Sequence, residues 1–137
     1  MILVDVNIFM DIFRRRRKGW TYSLEIINRV RNRKIKGYIS ALTIPILWFL
    51  LSKDIPEKDA KNYVKTIIEE FEVIPLDMQI INLSFKSEME DFEDAIQFTS
   101  AISANCKVLI TRNKEDFLVA KNNIEILTPE EFLDKYG

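Results

Sequence analysis

The sequence predicts an α/β fold, a parallel sheet of four to five short strands covered by helices. Two observations carry that prediction. Short apolar runs ("MILVD", "GYIS", "EVIPL", "KVLIT", "IEIL") alternate along the chain with longer segments whose apolar residues recur at helical spacing. The chain also has only three Gly and four Pro in 137 residues, so each element must lead into the next through a short loop. The length suits a single domain over residues 1–137 with a core of its own.

The elements follow in order. "MILVD" is a buried strand ending at Asp5, and "NIFMDIFRR" is a helix with Asn7 and Asp11 on one face and Phe9 and Phe13 on another. The run "RRRRKG" breaks the apolar pattern and forms an exposed turn. From Thr21 to Lys34 the residues Leu24, Ile27 and Val30 keep helical spacing, and Gly37 marks the stop. "GYIS" is the second strand. "LTIPILWFLLSK" is a helix apolar nearly all round, and such a helix is covered on more than one side. "PEKDAKNYVKTIIEEF" is an amphipathic helix opened by Pro56, followed by the strand "EVIPL" and the helix "DMQIINLSFKSEM". "DFEDAIQFTSAISANC" is a helix that turns Ala95, Phe98, Ala101 and Ile102 inward. "KVLIT" is a buried strand, "RNKEDF" a polar loop and "IEIL" the last strand. In "TPEEFLDKYG", Thr128 and Glu131 form a capping box with Pro129 at the first helical position.

Composition narrows the chemistry. The chain has no His, which excludes Ser-His-Asp and Cys-His nucleophiles, imidazole bases and the common zinc-ligand sets. It also has no Gly-rich phosphate loop. The single cysteine, Cys106, leaves no internal disulfide. The longest apolar stretch, Tyr38 to Leu51, is 14 residues interrupted by Ser40, Thr43 and Pro45, too short to span a bilayer. With Asp5 interrupting any apolar leader, these features predict a cytoplasmic protein. Catalysis is left to carboxylates, amides, hydroxyls, Lys and Arg. The net charge of −1 hides a division: residues 1–36 carry ten Lys/Arg against three Asp/Glu, and the rest carry ten against eighteen. A basic segment beside an acidic one is compatible with a polyanionic partner.

In a helix-covered parallel sheet, ligands bind beyond the carboxyl ends of the strands, near a reversal of strand order. Asp5, Ser40 and Thr111 end predicted strands, and Asp116 lies in the loop behind Thr111. The stretch "EMEDFEDAIQFTSAI" adds five carboxylates between Glu88 and Asp94 at the start of a helix. Capping accounts for Asp5 and Asp91, and the helix dipole favours Asp94 in the first turn. Asp116 can equally bond its own loop backbone. Capping does not account for five acids without one Lys or Arg among them, because like charges repel unless a cation lies between them. Mg²⁺ or Mn²⁺ suits such a site, since hard cations take carboxylate oxygens and keep waters that a phosphate can displace. On residue types alone both readings stay open.

Three blocks in this order, "LVDVNIFMD", "DFEDAIQFTSAI" and "VLITRNKEDF", resemble the PIN domain, the fold of VapC-type ribonuclease toxins. "ISALT" and "ILTPEEFL" extend the likeness over nearly the whole chain. The resemblance implies a three-layer PIN-like fold and a metal-dependent endoribonuclease that leaves 5′-phosphate and 3′-hydroxyl ends, acting as the toxin of a toxin–antitoxin pair. It places the catalytic, metal-holding acids at Asp5, Asp94 and Asp116, with Asn7, Asp11, Ser40, Thr111 and Asn113 in support. Two positions depart from the pattern. Ile46 stands where many PIN nucleases carry Glu, and Asn113 stands where many carry Asp. Glu93, beside Asp94, is the expected replacement carboxylate at the metal. The resemblance further implies a homodimer and a small antitoxin that blocks the site, and the apolar helix with Trp48 and Phe49 offers surface for them.

The basic run has two uses. As a bare pattern Arg14 to Lys18 is a solvated turn. Beside an acidic metal site, Arg14, Arg15, Arg16, Arg17 and Lys18, together with Arg112, would contact RNA phosphates and offset the acidic rim. Trp20 and Tyr22 are candidates for stacking on bases, with core packing the competing role for Trp20. A rival reading keeps the fold without the cutting, as a degenerate PIN-like module that binds RNA or a protein. Divalent-metal affinity separates the two.

Overall fold

The computed structural model describes residues 1–118 and 124–137. Five strands, β1 (Ile2–Val4), β2 (Gly37–Ser40), β3 (Glu72–Ile74), β4 (Val108–Ile110) and β5 (Glu125–Leu127), form one sheet in the order β3-β2-β1-β4-β5. All four pairings are parallel, with Ile2 opposite Gly37 and Val108, and Leu3 opposite Tyr38 and Leu109. Helices α1 (Val6–Arg14), α2 (Trp20–Arg31), α3 (Thr43–Ser52), α4 (Glu57–Glu70), α5 (Met78–Lys86), α6 (Phe92–Ser103) and α7 (Pro129–Tyr136) supply the crossovers and the close of the chain.

Strand alternation builds two cores. Ile2, Val4, Val108 and Ile110 face α1, α2, α3, α4 and α7, packing on Ile8, Phe9, Ile26, Leu47, Val64 and Phe132. Leu3 and Leu109 point the other way, onto Phe98, Ala101 and Phe117. The result is the expected three-layer arrangement. Gly37 is required by the first core, because a Cβ there would lie 2.8 Å from Phe71 Cε2 and from both Val30 methyls.

One expectation is corrected. "RNKEDF" is not simply a polar loop: Lys114–Phe117 form a 3-10 turn, with Phe117 fully buried under β4. A lone aromatic among charged residues gives no periodic signal, but its burial pins the turn that presents Asp116. Helix α3 buries Thr43, Leu47 and Leu51 and leaves Phe49 60% exposed, so its apolar surplus faces solvent on one side. Among the described residues, no helix is long and apolar enough to cross a membrane.

The strand order reverses between β1 and β4, the two central neighbours. The ladders run on past the strand ends: Asp5 N donates to Ile110 O at 3.0 Å, between β1 and β4, and Thr111 N to Leu127 O at 3.0 Å, between β4 and β5. Helix α1 starts directly after Asp5, and the 3-10 turn starts shortly after Thr111. The carboxyl ends of β1 and β4 are therefore held side by side at the topological switch point.

Candidate active site

Asp5 is 4% exposed and serves two structures at once. Its Oδ1 accepts from Val6 N at 2.7 Å, which caps α1. Its Oδ2 accepts from Thr111 Oγ1 at 2.8 Å and from Asn7 Nδ2 at 3.2 Å. Asn7 in turn donates to Thr111 Oγ1 at 3.3 Å and accepts from Arg112 N at 3.1 Å. Asn113 N donates to Thr111 Oγ1 at 3.0 Å. The structure thus ties Asp5, Asn7, Thr111 and the backbone of Asn113 into one cluster across the ends of β1 and β4.

A cavity of about 240 Å³ opens over this cluster, lined by Asp5, Asn7, Asp91, Glu93, Asp94, Asn113 and Asp116, with Ile46 and Gln97 completing the wall. Asp91 caps α6 by accepting from Asp94 N at 2.9 Å, which leaves the Asp94 carboxylate free to line the cavity. A second recess of about 340 Å³, lined by Glu88, Glu90, Asp91, Asp94, Glu115 and Asp116, adjoins it through shared acids.

The electrostatics follow from burial and like charge. Burial raises the Asp94 carboxyl to about 7, with added repulsion from Asp91, Asp5, Asp116 and Glu93. Burial also raises Asp5 to about 6, opposed by the Thr111 and Val6 hydrogen bonds and reinforced by Asp116 and Asp91. Among the described residues, no three acidic side chains are grouped tightly enough to cage an ion by themselves. The acids nevertheless line one cavity, and a hard cation that keeps most of its waters needs only one or two direct carboxylates. The donor set therefore fits a hard divalent cation. Thiol chemistry is unsupported, since burial pushes the Cys106 thiol up to about 11.

Four expected site residues lie elsewhere. Ser40 is fully buried and accepts from Leu42 N at 3.1 Å, shaping the entry to α3 and not the cavity wall. Asp11 is buried below the α1–α2 turn, bonded by Ser23 Oγ at 2.7 Å and Arg112 Nε at 3.0 Å. Arg112, which the sequence suggests as an RNA contact, has a side chain only 6% exposed. It is held by Asp11, Glu130, Gly19 O and Ser23 in a network joining α1, α2 and α7. Gly19 has no side chain at the point where Arg112 Nη2 would meet a Cβ at 3.0 Å. Arg15 closes α1 in the left-handed region (φ 52°) and stacks its guanidinium over Trp20 at 4.3 Å.

The rest of the basic run is placed differently. Arg14, Arg16 and Arg17 line a cleft of about 400 Å³ with Asn7, Met10, Asp11 and Arg112. Asn7 borders both this cleft and the acid cavity. Arg14 pairs with Asp54 at 3.4 Å, Arg17 approaches Asp11 at 3.8 Å, and Arg16 and Lys18 are exposed. The residue missed by sequence reasoning is Gln97, a buried amide within the apolar stretch "AIQFTSAI" that forms part of the cavity wall.

Comparison with known proteins accords with this geometry. A family model described as a PIN domain matches residues 1–115. Ribonuclease VapC1 of Aquifex aeolicus is 28% identical over 141 residues, covering 99% of this chain and 95% of its own. A toxin–antitoxin complex from Klebsiella pneumoniae superposes with a TM-score of 0.68 at 23% identity, covering 94% of this chain and 98% of that one. Mycobacterium tuberculosis VapC20, described as a sarcin-ricin loop cleaving toxin, superposes with a TM-score of 0.69 at 13% identity, covering 90% and 98%.

Proposed function

The chain belongs to the PIN domain family, and from that membership we propose that it is an endoribonuclease that hydrolyses RNA phosphodiester bonds with Mg²⁺ or Mn²⁺ held by Asp5, Asp94 and Asp116, directly or through the waters of the ion. The observation that carries the reading is the convergence of these three acids on one cavity at the switch point of the sheet. A bound divalent cation supplies an activated water and neutralises charge developing on the scissile phosphate. Thr111 and Asn7 fix the Asp5 carboxylate from one side and Val6 N from the other, so its direction is set before any ligand arrives. Asp94 is presented by a helix start whose own cap is Asp91. Asp116 is presented by the 3-10 turn anchored on Phe117. Glu93, on the cavity wall, adds negative charge in place of an acid at Ile46.

The cleft beyond Asn7 supports a path for the substrate backbone. Arg14, Arg16 and Arg17 would take a phosphate flanking the scissile one, so the basic run offsets the repulsion of the acidic rim. The named relatives include a ribonuclease and a toxin–antitoxin complex. On that likeness this chain acts as a toxin whose partner is a small antitoxin protein, with homodimerisation through the exposed side of α3.

The test is cleavage of a mixed pool of structured and single-stranded RNAs with Mg²⁺ or Mn²⁺, against EDTA and against Asp94→Asn. Metal-dependent cutting that is lost in the variant supports the assignment. No cutting, with no Mn²⁺ binding by calorimetry, would replace it with a non-catalytic RNA- or protein-binding domain.

A further inference from the structure

Gln97 is 2% exposed and lies one turn beyond Asp94 on the same face of α6. Its Nε2 donates to Thr43 Oγ1 at 2.9 Å, and Thr43, fully buried at the start of α3, fixes the amide plane. Its Oε1 is buried and has no hydrogen-bond partner among the described residues. A buried amide oxygen left without a donor is costly unless a ligand supplies the missing partner. The residue is part of the wall of the acid cavity, together with Asp5, Asp94 and Asp116. Ile46, on the same wall, offers no oxygen.

We propose that Gln97 contributes a neutral oxygen to the coordination sphere of the divalent cation, supplementing Asp5, Asp94 and Asp116. The inference rests on reading the acid cavity as a cation site. Its physical basis is charge. The cavity already gathers five carboxylates, and a further acid would add repulsion, whereas an amide oxygen ligates a hard cation without adding charge. The Thr43 hydrogen bond leaves the oxygen, and not the nitrogen, for the cation.

The experiment is Mn²⁺ titration by calorimetry of the full chain, with Gln97→Met, Thr43→Val and Asp94→Asn beside the wild type, and melting in EDTA as a control for folding. Gln97→Met keeps the volume and removes the orphaned oxygen. Because it also removes the hydrogen bond to Thr43, it is expected to melt in EDTA no lower than Thr43→Val, which loses the same bond, while binding Mn²⁺ about tenfold more weakly than the wild type. Thr43→Val, which frees the amide to rotate, should weaken Mn²⁺ in the same direction by a smaller factor. An unchanged Mn²⁺ affinity in Gln97→Met would overturn the proposal even if the wild type binds and Asp94→Asn does not. Absence of Mn²⁺ binding by the wild type would overturn both this inference and the nuclease reading. A Gln97→Met protein that melts well below Thr43→Val in EDTA would show that the oxygen is needed by the fold itself, which also overturns the proposal.

Discussion

Replacing Asp5 by Asn should make the metal-free protein more stable at high pH and less stable at low pH. Asp5 is 4% exposed, and its carboxyl is raised from 3.8 to about 6, chiefly by burial. The folded chain therefore binds this proton more tightly than the unfolded chain. Stability is complete below the unfolded value, falls as pH rises through the interval, and levels off above about pH 7. At about 1.4 kcal/mol per pH unit the loss is about 3 kcal/mol. The substituted amide carries no charge to desolvate, so this loss disappears. Its one carbonyl oxygen can keep the bonds from Thr111 and Asn7, but the amide nitrogen then faces Val6 N–H, leaving one donor unpaired at about 1–2 kcal/mol. At about pH 8 the variant should exceed the wild type by about 1–2 kcal/mol, and at about pH 4 it should fall below it by a similar amount. The assay is urea unfolding in EDTA at a series of pH values. Asp94 titrates in both proteins, but the Asp5 charge helps to raise it, so the difference between the two curves reports Asp5 together with its coupling to Asp94. Parallel curves, or a variant less stable at every pH, would refute the idea that Asp5 is held charged against its burial. Mn²⁺ added in large excess should stabilise the wild type and not the variant, by mass action.

The remaining predictions concern other parts of the molecule. Arg112→Met strands Asp11 as a buried charge and should cost about 3 kcal/mol in urea unfolding, and adding Asp11→Asn should recover most of it; additive losses in the double variant would refute the pairing. Arg16→Ser with Arg17→Ser should lower the slope of log affinity for single-stranded RNA against log salt by about 1.4, measured by fluorescence anisotropy; an unchanged slope would remove the cleft from the RNA path. Gly37→Ala forces a methyl against Phe71 and Val30 and should cost about 1–3 kcal/mol by thermal unfolding, and no loss would mean that the start of β2 can shift. Glu93→Gln should weaken Mn²⁺ binding and move the Asp94 carboxyl back down toward its ordinary range in an NMR titration; no change in either would end its role as a substitute acid.

Much of the fold was legible because each strand announces itself twice. Ile2, Val4, Val108 and Ile110 alternate with Leu3 and Leu109, and both sets are buried, so three-residue strands read as uninterrupted apolar runs. That Asp5 and Asp94 would share one edge of the sheet was legible for a related reason: a carboxylate that ends such a run, or begins a helix, lies beyond the carboxyl ends of the strands. Phe117 was not legible, because one aromatic in a charged turn has no period to betray its burial. Gln97 was visible as a lone amide in an apolar stretch, but sequence could not show that its oxygen would lack a partner.

Arg112 is the more instructive miss. It lies in a bend just past the end of β4, where no strand alternation fixes the direction of a side chain. Thr111 Oγ1 bonds Asp5, whereas the Arg112 guanidinium bonds Asp11 and the Gly19 carbonyl, on the side of α1 and α2. The consequence reaches the site itself. Were this guanidinium turned toward Asp5, it would neutralise the cavity from within and compete with any cation. Its capture by Asp11, Glu130 and the Gly19 carbonyl instead leaves the five cavity acids without an internal counter-charge and braces α1, the helix that Asp5 caps. The basic segment that lines the cleft with Arg16 and Arg17 is thus anchored through Arg112 to the strand end that positions the acids. Loss of Arg112 should therefore disturb the cleft and the cavity together.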